Sequence, residues 1–322
     1  MSEKIASHAE YRDFATPNVI LLATDLEDDI DYLLTHAVAQ ARSCSSTLVL
    51  AHALPPTECL ELNSRALLPA DAFECEQEAK RKLTNIAGFI RRMGVSCKTL
   101  LREGFPADVI PAMVHETGAT RVIVGTHGRR HLKKMLLGSV AYEILRNVDV
   151  PICTIGPHVS CKSPVGVPKR ILHPVSLNKE YEHSARCALE IAQFYGADIT
   201  LLHVLARDMQ REANTDQIAA WTRAELERLI PDEAPLWVTT SVEVERGAVA
   251  VQILNAADEM NADLIVLGVN PGFSFWPIRE NNTAYEIILR AKCPVLTVRR
   301  PASARSAAEQ YENGRAVPAG HC

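Results

Sequence analysis

The 322-residue sequence lacks the features that mark membrane and secreted proteins. Its apolar runs are short, and Val19–Ala23 is far below the roughly 20 residues that a membrane-spanning helix needs. The N-terminal segment Met1–His8 contains no apolar stretch typical of a secretory signal. We therefore expect a cytoplasmic protein that has no membrane partner.

The sequence also lacks an excess of basic residues. It contains 34 Lys and Arg against 39 Asp and Glu, which gives a formal net charge of −5. Binding to a phosphate backbone needs an excess of Lys and Arg, so we expect no nucleic-acid partner. Hydrophobic residues make up 47% and charged residues 23% of the chain, which is typical of a folded globular protein.

Cysteines are few and unclustered. There are nine, an odd number, and no two of them form a C-x-x-C pair. A disulfide scaffold or a zinc site would need paired or clustered cysteines. We expect most of these cysteines to be reduced and buried as small apolar side chains.

The second half of the sequence repeats the first. Ile123–Gly125 recurs as Val266–Gly268, and Ala141–Arg146 recurs as Ala284–Leu289, both at an offset of 143 residues. This period is far too long for one unit of a solenoid. The sequence therefore predicts a duplicated domain.

Each copy alternates short β-rich runs with helical stretches. In the first copy we predict strands near 18–24, 47–53, 95–101, 121–125 and 151–155, and helices near 29–43, 71–92, 107–117 and 138–147. In the second copy we predict strands near 169–174, 198–205, 236–244, 263–268 and 294–298. Strands connected by helices of this length indicate an α/β fold with a parallel sheet covered on both faces. The Pro- and Ser-containing segment 156–168 is predicted to be a linker, and 301–322 a disordered tail.

Glycines and basic residues follow the fourth strand of the first copy, in the pattern G-x-x-G-(nine)-G-S from Gly125 to Ser139. Glycine allows a ligand to approach the backbone closely. Gly138, Ser139 and Val140 stand where the next helix begins, and we expect their backbone N–H groups and the helix dipole to favour an anion. The pattern therefore favours a phosphate cradle. The alternative is a glycine-rich connection in which Ser139 is an ordinary N-cap.

In this arrangement the pattern resembles the ATP-binding signature of the universal stress protein family, in its tandem two-domain form. Leu21–Asp25, His52, Glu103–Pro106 and Val150–Pro151 agree with it as well. The resemblance covers residues 17–156 and 168–300. It implies two Rossmann-like (adenine nucleotide alpha hydrolase-like) domains, each a five-stranded parallel-type sheet flanked by helices.

The resemblance also implies how the two domains meet. In the family, the last strands of two domains pair edge to edge, which here would join Ile152–Ile155 to Val295–Val298 in an intramolecular pseudo-dimer. Pairing would cover two open sheet edges. A further homodimer is left open.

The resemblance implies ATP or a related adenine nucleotide as the ligand, and leaves Mg²⁺ open. The predicted nucleotide-binding residues are Ala23, Thr24, Asp25, Ala53, Gly125, Thr126, His127, Gly128, Arg129, Gly138, Ser139 and Val140. Asp25 would contact the adenosine part, Ala53 would pack against the base, and Gly138 to Val140 would hold the terminal phosphates. Two alternatives remain: Asp25 caps the first helix, and the basic side chains of the loop, which include Arg129, form a solvated charge run.

Three histidines lie within predicted strands or at a strand end. His52 and His203 stand inside apolar runs, which favours a role in the core over a role as ligands. His173 is assigned to a strand end, where exposure is allowed. A single histidine is not a metal site.

The second copy is predicted to have lost the nucleotide pocket. Matching Val19–Leu22 to Lys169–Leu172 gives an offset of 150, which places Val175 opposite Asp25. The offset of 143 places Pro271 opposite Gly128, Asn281 opposite Gly138 and Asn282 opposite Ser139. It replaces the basic loop by a segment containing Phe273, Phe275, Trp276 and Pro277. A phosphate would lose both charge and N–H donors. The aromatic segment either packs into the vacant pocket or binds a partner.

Three functions follow as hypotheses. The first is an ATP-binding regulatory module of the stress response, with one competent site and an unknown signalling partner. Catalysis is not implied, because no Walker-type lysine or well-placed general base accompanies the phosphate loop, although slow hydrolysis is left open. The second is a nucleotide-independent interaction scaffold, and the third is a true nucleotide-using enzyme.

Overall fold

The structure is a computed structural model that describes residues 15–26, 30–54, 56, 69–126, 137–159, 166–177, 181–206, 215–269 and 282–299. The predicted tail 301–322 and residues 160–165 of the predicted linker lie outside these ranges. In the described part of the chain, no helix is both long and apolar enough to cross a membrane.

The N-terminal half alternates strands and helices as predicted. Its elements are β1 (Val19–Ala23), α1 (Asp31–Ser43), β2 (Thr47–Leu54), α2 (Pro69–Arg92), β3 (Cys97–Glu103), α3 (Pro106–Thr117), β4 (Arg121–Gly125), α4 (Ser139–Asn147) and β5 (Ile152–Ile155). Helix α1 shows how the spacing of apolar residues predicts a helix with one buried face. Leu33, Leu34, Ala37, Val38 and Ala41 recur at helical spacing, and all of them are buried.

The C-terminal half repeats this order. Its elements are β6 (Arg170–Pro174), α5 (Tyr181–Tyr195), β7 (Asp198–Ala206), α6 (Thr215–Glu227), β8 (Thr240–Gly247), α7 (Val249–Glu259), β9 (Leu264–Gly268), α8 (Thr283–Arg290) and β10 (Val295–Val298). The predicted strand near 236–244 is wrong at its start. Ala234–Leu236 forms a 3₁₀ turn that contains Pro235, and β8 begins only at Thr240.

The ten strands form one sheet in the order β3-β2-β1-β4-β5-β10-β9-β6-β7-β8. Within each half all neighbouring strands are parallel. Apolar side chains on the two faces of the sheet form two buried clusters under the helices. The predicted α/β class, with two five-stranded parallel sheets flanked by helices, is confirmed.

The two halves meet through their last strands. β5 and β10 are antiparallel, and Thr154 stands opposite Val295. The hydroxyl of Thr154 donates to the carbonyl of Val295 over 3.1 Å, and the hydroxyl of Thr297 donates to the carbonyl of Ile152 over 3.2 Å. Thr297 lies 143 residues after Thr154, so the junction repeats its own contacts about a pseudo-two-fold axis. The predicted edge-to-edge pairing is confirmed.

Most of the described cysteines are buried, as expected. Cys97, Cys153, Cys187 and Cys293 are buried, Cys44 is half-buried, and Cys75 is exposed. All six are free thiols.

Candidate functional site

The first strand of the N-terminal half ends in a tight turn. Ala23 is buried, and the backbone N–H of Thr24 donates to the carbonyl of Ala51 at 3.1 Å. The N–H of Leu26 donates to the hydroxyl of Thr24 at 3.1 Å, and Leu26 has a φ of 59°. This turn leaves Asp25 exposed just beyond the strand. Helix α1 begins after Ile30, its N-cap, so the alternative that Asp25 caps this helix is wrong.

The second strand supports this turn from one side. His52 donates from Nδ1 to the carbonyl of Thr24 at 2.8 Å, because a carbonyl oxygen can only accept. Burial lowers the pKa of His52, and the ammonium of Lys82 adds to this, while the bond to Thr24 and the carboxylate of Asp25 oppose it. His52 is therefore a neutral link between two strand ends, in agreement with the predicted core role. Ala53, next along the strand, is buried.

Lys82 is a residue of this site that the sequence alone did not indicate. It lies on α2, and its ammonium donates to the carbonyl of Leu26 at 3.3 Å. It acts electrostatically on His52, as does Asp25. A lysine in the middle of a charged helix carries no local signal, and only the fold brings it to the end of β1.

The fourth strand and the fourth helix are bonded directly to each other. Thr126, which follows β4, is fully buried, and its N–H donates to the carbonyl of Ile155 at 3.1 Å. The N–H of Gly138 donates to the carbonyl of Thr126 at 2.8 Å. A Cβ at Gly138 would lie only 3.2 Å from the same carbonyl oxygen. We call this contact between the two ends of the glycine-rich loop the Thr126–Gly138 clasp.

The clasp corrects two expectations about the start of α4. The N–H of Gly138 is used within the clasp, so the expectation that it is offered to a phosphate is wrong. The N-cap is Gly138 and Ser139 is the first helical residue, so the alternative of Ser139 as N-cap is wrong too. Since Gly138 has no side chain, it cannot cap the helix as Asn or Ser would. The next N–H groups, those of Ser139 and Val140, belong to the first turn, which carries the positive end of the helix dipole.

The strand register brings most of the predicted site residues to one edge of the sheet. Ala23, the last residue of β1, pairs with Ala51 of β2 on one side and with Val124 of β4 on the other, and both neighbours run on past it, β4 to Gly125 and β2 to Leu54. The predicted residues at this edge are Ala23, Thr24, Asp25, Ala53, Gly125, Thr126, Gly138, Ser139 and Val140. In an open α/β sheet, ligands bind at this carboxyl edge, where the strand order reverses. His127, Gly128 and Arg129 lie outside the described residues.

The same edge of the C-terminal half is built differently. His203 donates to the carbonyl of Val175 at 2.8 Å, just as His52 does to Thr24. The offset between the first strands is therefore 151, and the sequence alignment at 150 is wrong by one residue. Ser176 stands opposite Asp25, and Val175 opposite Thr24.

His173 occupies the interior of this altered edge. It lies within β6 and is completely buried, so the expectation that it could be exposed is wrong. Its Nδ1 donates to the carbonyl of Val266 at 2.8 Å, and burial lowers its pKa to about 4. β6 pairs with β9 at two positions, whereas β1 pairs with β4 at four. Pro174, which has no N–H, follows His173 and occupies the place of Ala23.

The start of α8 also differs from the start of α4. Asn282 is the N-cap, and its side-chain oxygen accepts from the N–H of Tyr285 at 3.1 Å. The first turn of α8 is thus capped by the protein's own side chain. Pro271, Asn281 and the predicted aromatic segment lie outside the described residues.

One contact joins α8 to the site in the N-terminal half. The N–H of Leu137 donates to the hydroxyl of Tyr285 at 3.2 Å, across 148 residues of sequence. Leu137 directly precedes Gly138 of the clasp. No motif or repeat in the sequence indicates this contact, because Leu137 and Tyr285 lie 148 positions apart and belong to different halves of the chain.

Comparisons with known proteins agree with this geometry. The sequence model of the universal stress protein family matches residues 17–155 and again 168–299. Universal stress protein MJ0577 from Methanocaldococcus jannaschii is 26% identical over 150 residues, which cover 42% of this chain and 93% of that protein.

Solved structures show the same fold over the full tandem. A universal stress protein from Archaeoglobus fulgidus superposes with a TM-score of 0.69 at 18% identity, covering 90% of this chain and 98% of its own. A putative universal stress protein from Pseudomonas aeruginosa superposes with a TM-score of 0.61 at 17% identity, covering 93% and 99%. With both halves matched by the family model, the chain belongs to the universal stress protein family, as a tandem of two such domains.

Proposed function

We propose that this protein is an ATP-binding regulatory module of the stress response, with one nucleotide site at the carboxyl edge of its N-terminal half. The Thr126–Gly138 clasp carries the proposal. It holds the uncapped first turn of α4 against the end of β4, level with the exposed Asp25 that follows β1. Backbone N–H groups at the start of a helix suit phosphate oxygens.

The ligand would lie across this edge in one orientation. Asp25 and Ala53 would receive the adenosine part beside β1 and β2. Ser139 and Val140 would hold the terminal phosphates at the start of α4. Gly125 and Thr126 would lie between them, with His127, Gly128 and Arg129 of the adjoining loop.

The C-terminal half lacks several of these features and is proposed not to bind ATP. Its edge carries Ser176 in place of Asp25 and Pro174 in place of Ala23. Asn282 caps α8 with its own side chain, so the first turn already has an acceptor where a phosphate oxygen would stand. The protein would thus bind a single nucleotide and use its second half for another purpose.

Equilibrium binding of labelled ATP to the full chain tests the proposal. Gly138→Val would push the clasp apart, because even a Cβ lies 3.2 Å from the Thr126 carbonyl oxygen. The triphosphate would then lose hydrogen bonds from the first turn of α4, and one hydrogen bond to a charged group contributes about 1.5–3 kcal/mol, which corresponds to a loss of affinity on the order of 10- to 100-fold. We therefore expect saturable binding by the wild type and a loss of that order in the variant.

Gly88→Val is the matched control. Gly88 lies in α2, and an added Cβ would meet only the side chain of Arg92, at 3.8 Å. The control should bind ATP like the wild type. Absence of saturable binding by the wild type would favour the nucleotide-independent scaffold, and turnover near the ~10 s⁻¹ of ordinary enzymes would favour an enzyme.

A further inference from the structure

A side chain of the C-terminal half, that of Tyr285, contacts the phosphate end of the proposed site. Tyr285, on the first turn of α8, accepts a hydrogen bond from the backbone N–H of Leu137 at 3.2 Å. Leu137 is the last residue before the clasp, and Ser139 begins α4 two residues later. The contact therefore lies next to the N–H groups proposed to bind the terminal phosphates.

Tyr285 is itself held firmly. Its backbone N–H donates to the side chain of Asn282, which fixes the first turn of α8. Helices α4 and α8 contribute to the same buried cluster, which contains Ile144 and Leu145 of α4 and Ile287 of α8. The hydroxyl of Tyr285 is thus presented to Leu137 from a rigid support.

A second contact brings α8 close to the clasp. Gly156 follows β5, and a Cβ there would lie 3.4 Å from the carbonyl oxygen of Ile288 and 3.7 Å from the hydroxyl oxygen of Thr126. Gly156 therefore lies between α8 and Thr126. Helix α8 approaches the clasp directly at Leu137 and, across Gly156, on the side of Thr126.

From this juxtaposition we propose that Tyr285 is a positioning residue, which completes the phosphate end of the nucleotide site from across the domain junction. The inference rests on the proposed function. The hydroxyl of Tyr285 holds the backbone of Leu137 in place. Because Leu137 directly precedes Gly138 of the clasp, this hydrogen bond also positions the first turn of α4. Coupling of this kind is reciprocal, so bound ATP also holds α8, and a partner that moves α8 changes the affinity for ATP.

The variant Tyr285→Phe removes the hydroxyl and keeps the ring in place. A neutral hydrogen bond contributes about 0.5–1.5 kcal/mol, so we expect ATP to bind about fivefold more weakly. AMP does not carry the terminal phosphates, and its affinity should stay within about twofold of the wild type. Amide hydrogen exchange at Leu137 should be faster in the variant, and its melting temperature should change little.

Tyr142→Phe is the matched control, because Tyr142 occupies the same position on α4, 143 residues earlier. It should leave the ratio of ATP to AMP affinity unchanged. The inference is wrong if Tyr285→Phe leaves that ratio unchanged, or if Tyr142→Phe changes it to the same extent. If the wild type binds neither nucleotide, the proposed function fails and the inference with it, a result already visible before any variant is made.

Discussion

Helices α4 and α8 occupy equivalent places in the two halves and begin in different ways. Helix α4 has Gly138 as its N-cap, which provides no capping side chain, and the N–H of Gly138 donates to the carbonyl of Thr126 directly after β4. Helix α8 begins at Asn282, whose side chain caps the first turn. The comparison shows how a duplicated domain can keep its fold while the helix start of one copy has no side-chain cap and that of the other is capped by an asparagine.

The first strands of the two halves, β1 and β6, also end in different ways. β1 pairs with β4 up to Ala23, and the chain then leaves the sheet with Asp25 exposed. In the C-terminal half, His173 is buried and bonded to Val266 at the corresponding depth. One edge is organised around backbone hydrogen bonds beside the exposed Asp25, and the other around the buried imidazole of His173.

The largest expected effect concerns His173. Burial lowers its pKa from 6.5 to about 4, so below pH 6.5 the unfolded chain binds a proton that the folded chain does not. Stability is therefore lost as the pH falls from 6.5 towards 4, by about 3 kcal/mol from this group. His173→Leu, which installs the residue found at the equivalent Leu22, should remove this part of the acid sensitivity in urea unfolding followed from pH 7 to 4.

The exposed His158 offers the control for that experiment. His158→Leu should leave the acid sensitivity of the wild type intact. An identical pH profile for His173→Leu and the wild type would contradict the structural role of the buried imidazole.

A smaller effect is expected at Lys82. Equivalent residues of β3 and β8 are 143 positions apart, and the same offset places Glu225 of α6 opposite Lys82 of α2. The two halves therefore carry opposite charges at this helix position. Lys82→Glu would remove a cation that offsets the acidic turn at Asp25, at the end of the site proposed for the adenosine part, and would add a negative charge that repels the triphosphate from there. We expect ATP affinity to fall about tenfold at low salt, and less at high salt because such interactions are screened.

Lys80→Glu makes the same change of charge on the exposed face of α2, where Lys80 pairs with Glu76. It should weaken ATP binding much less than Lys82→Glu. Equal losses in the two variants would show that only the overall charge of the protein matters.

The helix starts themselves should respond in opposite ways. Asn282→Ala removes the cap of α8 and should lower the free energy of unfolding by about 1 kcal/mol. Ser139→Pro removes the backbone N–H but no cap, and because proline is tolerated at the first helical position it should change stability by less than about 0.5 kcal/mol, while it weakens ATP binding. Thermal unfolding and calorimetric titration of both variants check this crossed pattern, which would disappear if Ser139 served only the helix.

The smallest effect is expected in tryptophan fluorescence. Trp221 and Trp237 lie beside the outer strand β8, at the far end of the sheet from the junction, and Trp276 lies outside the described residues. ATP should change the emission of the full chain little. A large quench that survives Gly138→Val would point to a nucleotide in the C-terminal half.

The sequence predicted what depends on local pattern. The alternation of strands and helices and the glycine signature follow from residues close together in the chain, and the duplicated domain follows from the recurrence of such local patterns 143 residues later. The one-residue error in the offset arose because only Ile171 and Leu172 of the second segment are apolar, and this pair matches Ile20–Leu21 as well as Leu21–Leu22. The bonds of His52 and His203 define the true register.

What the sequence could not predict depends on contacts between distant residues. The clasp uses the N–H of Gly138, and a backbone donor carries no signature of its partner. Lys82 and Tyr285 reach the site from other elements of the fold, and Tyr285 comes from the other half of the chain. The burial of His173 follows from its carbonyl partner on β9, which no pattern within β6 indicates.

The number of ATP molecules bound per chain tests the central claim most directly. Isothermal titration of the nucleotide-free, full-length protein should give one site per chain, and Gly138→Val should abolish it. Two sites per chain, or one site that persists undiminished in Gly138→Val, would contradict the division of the protein into a nucleotide-binding half and a half that has closed its helix start.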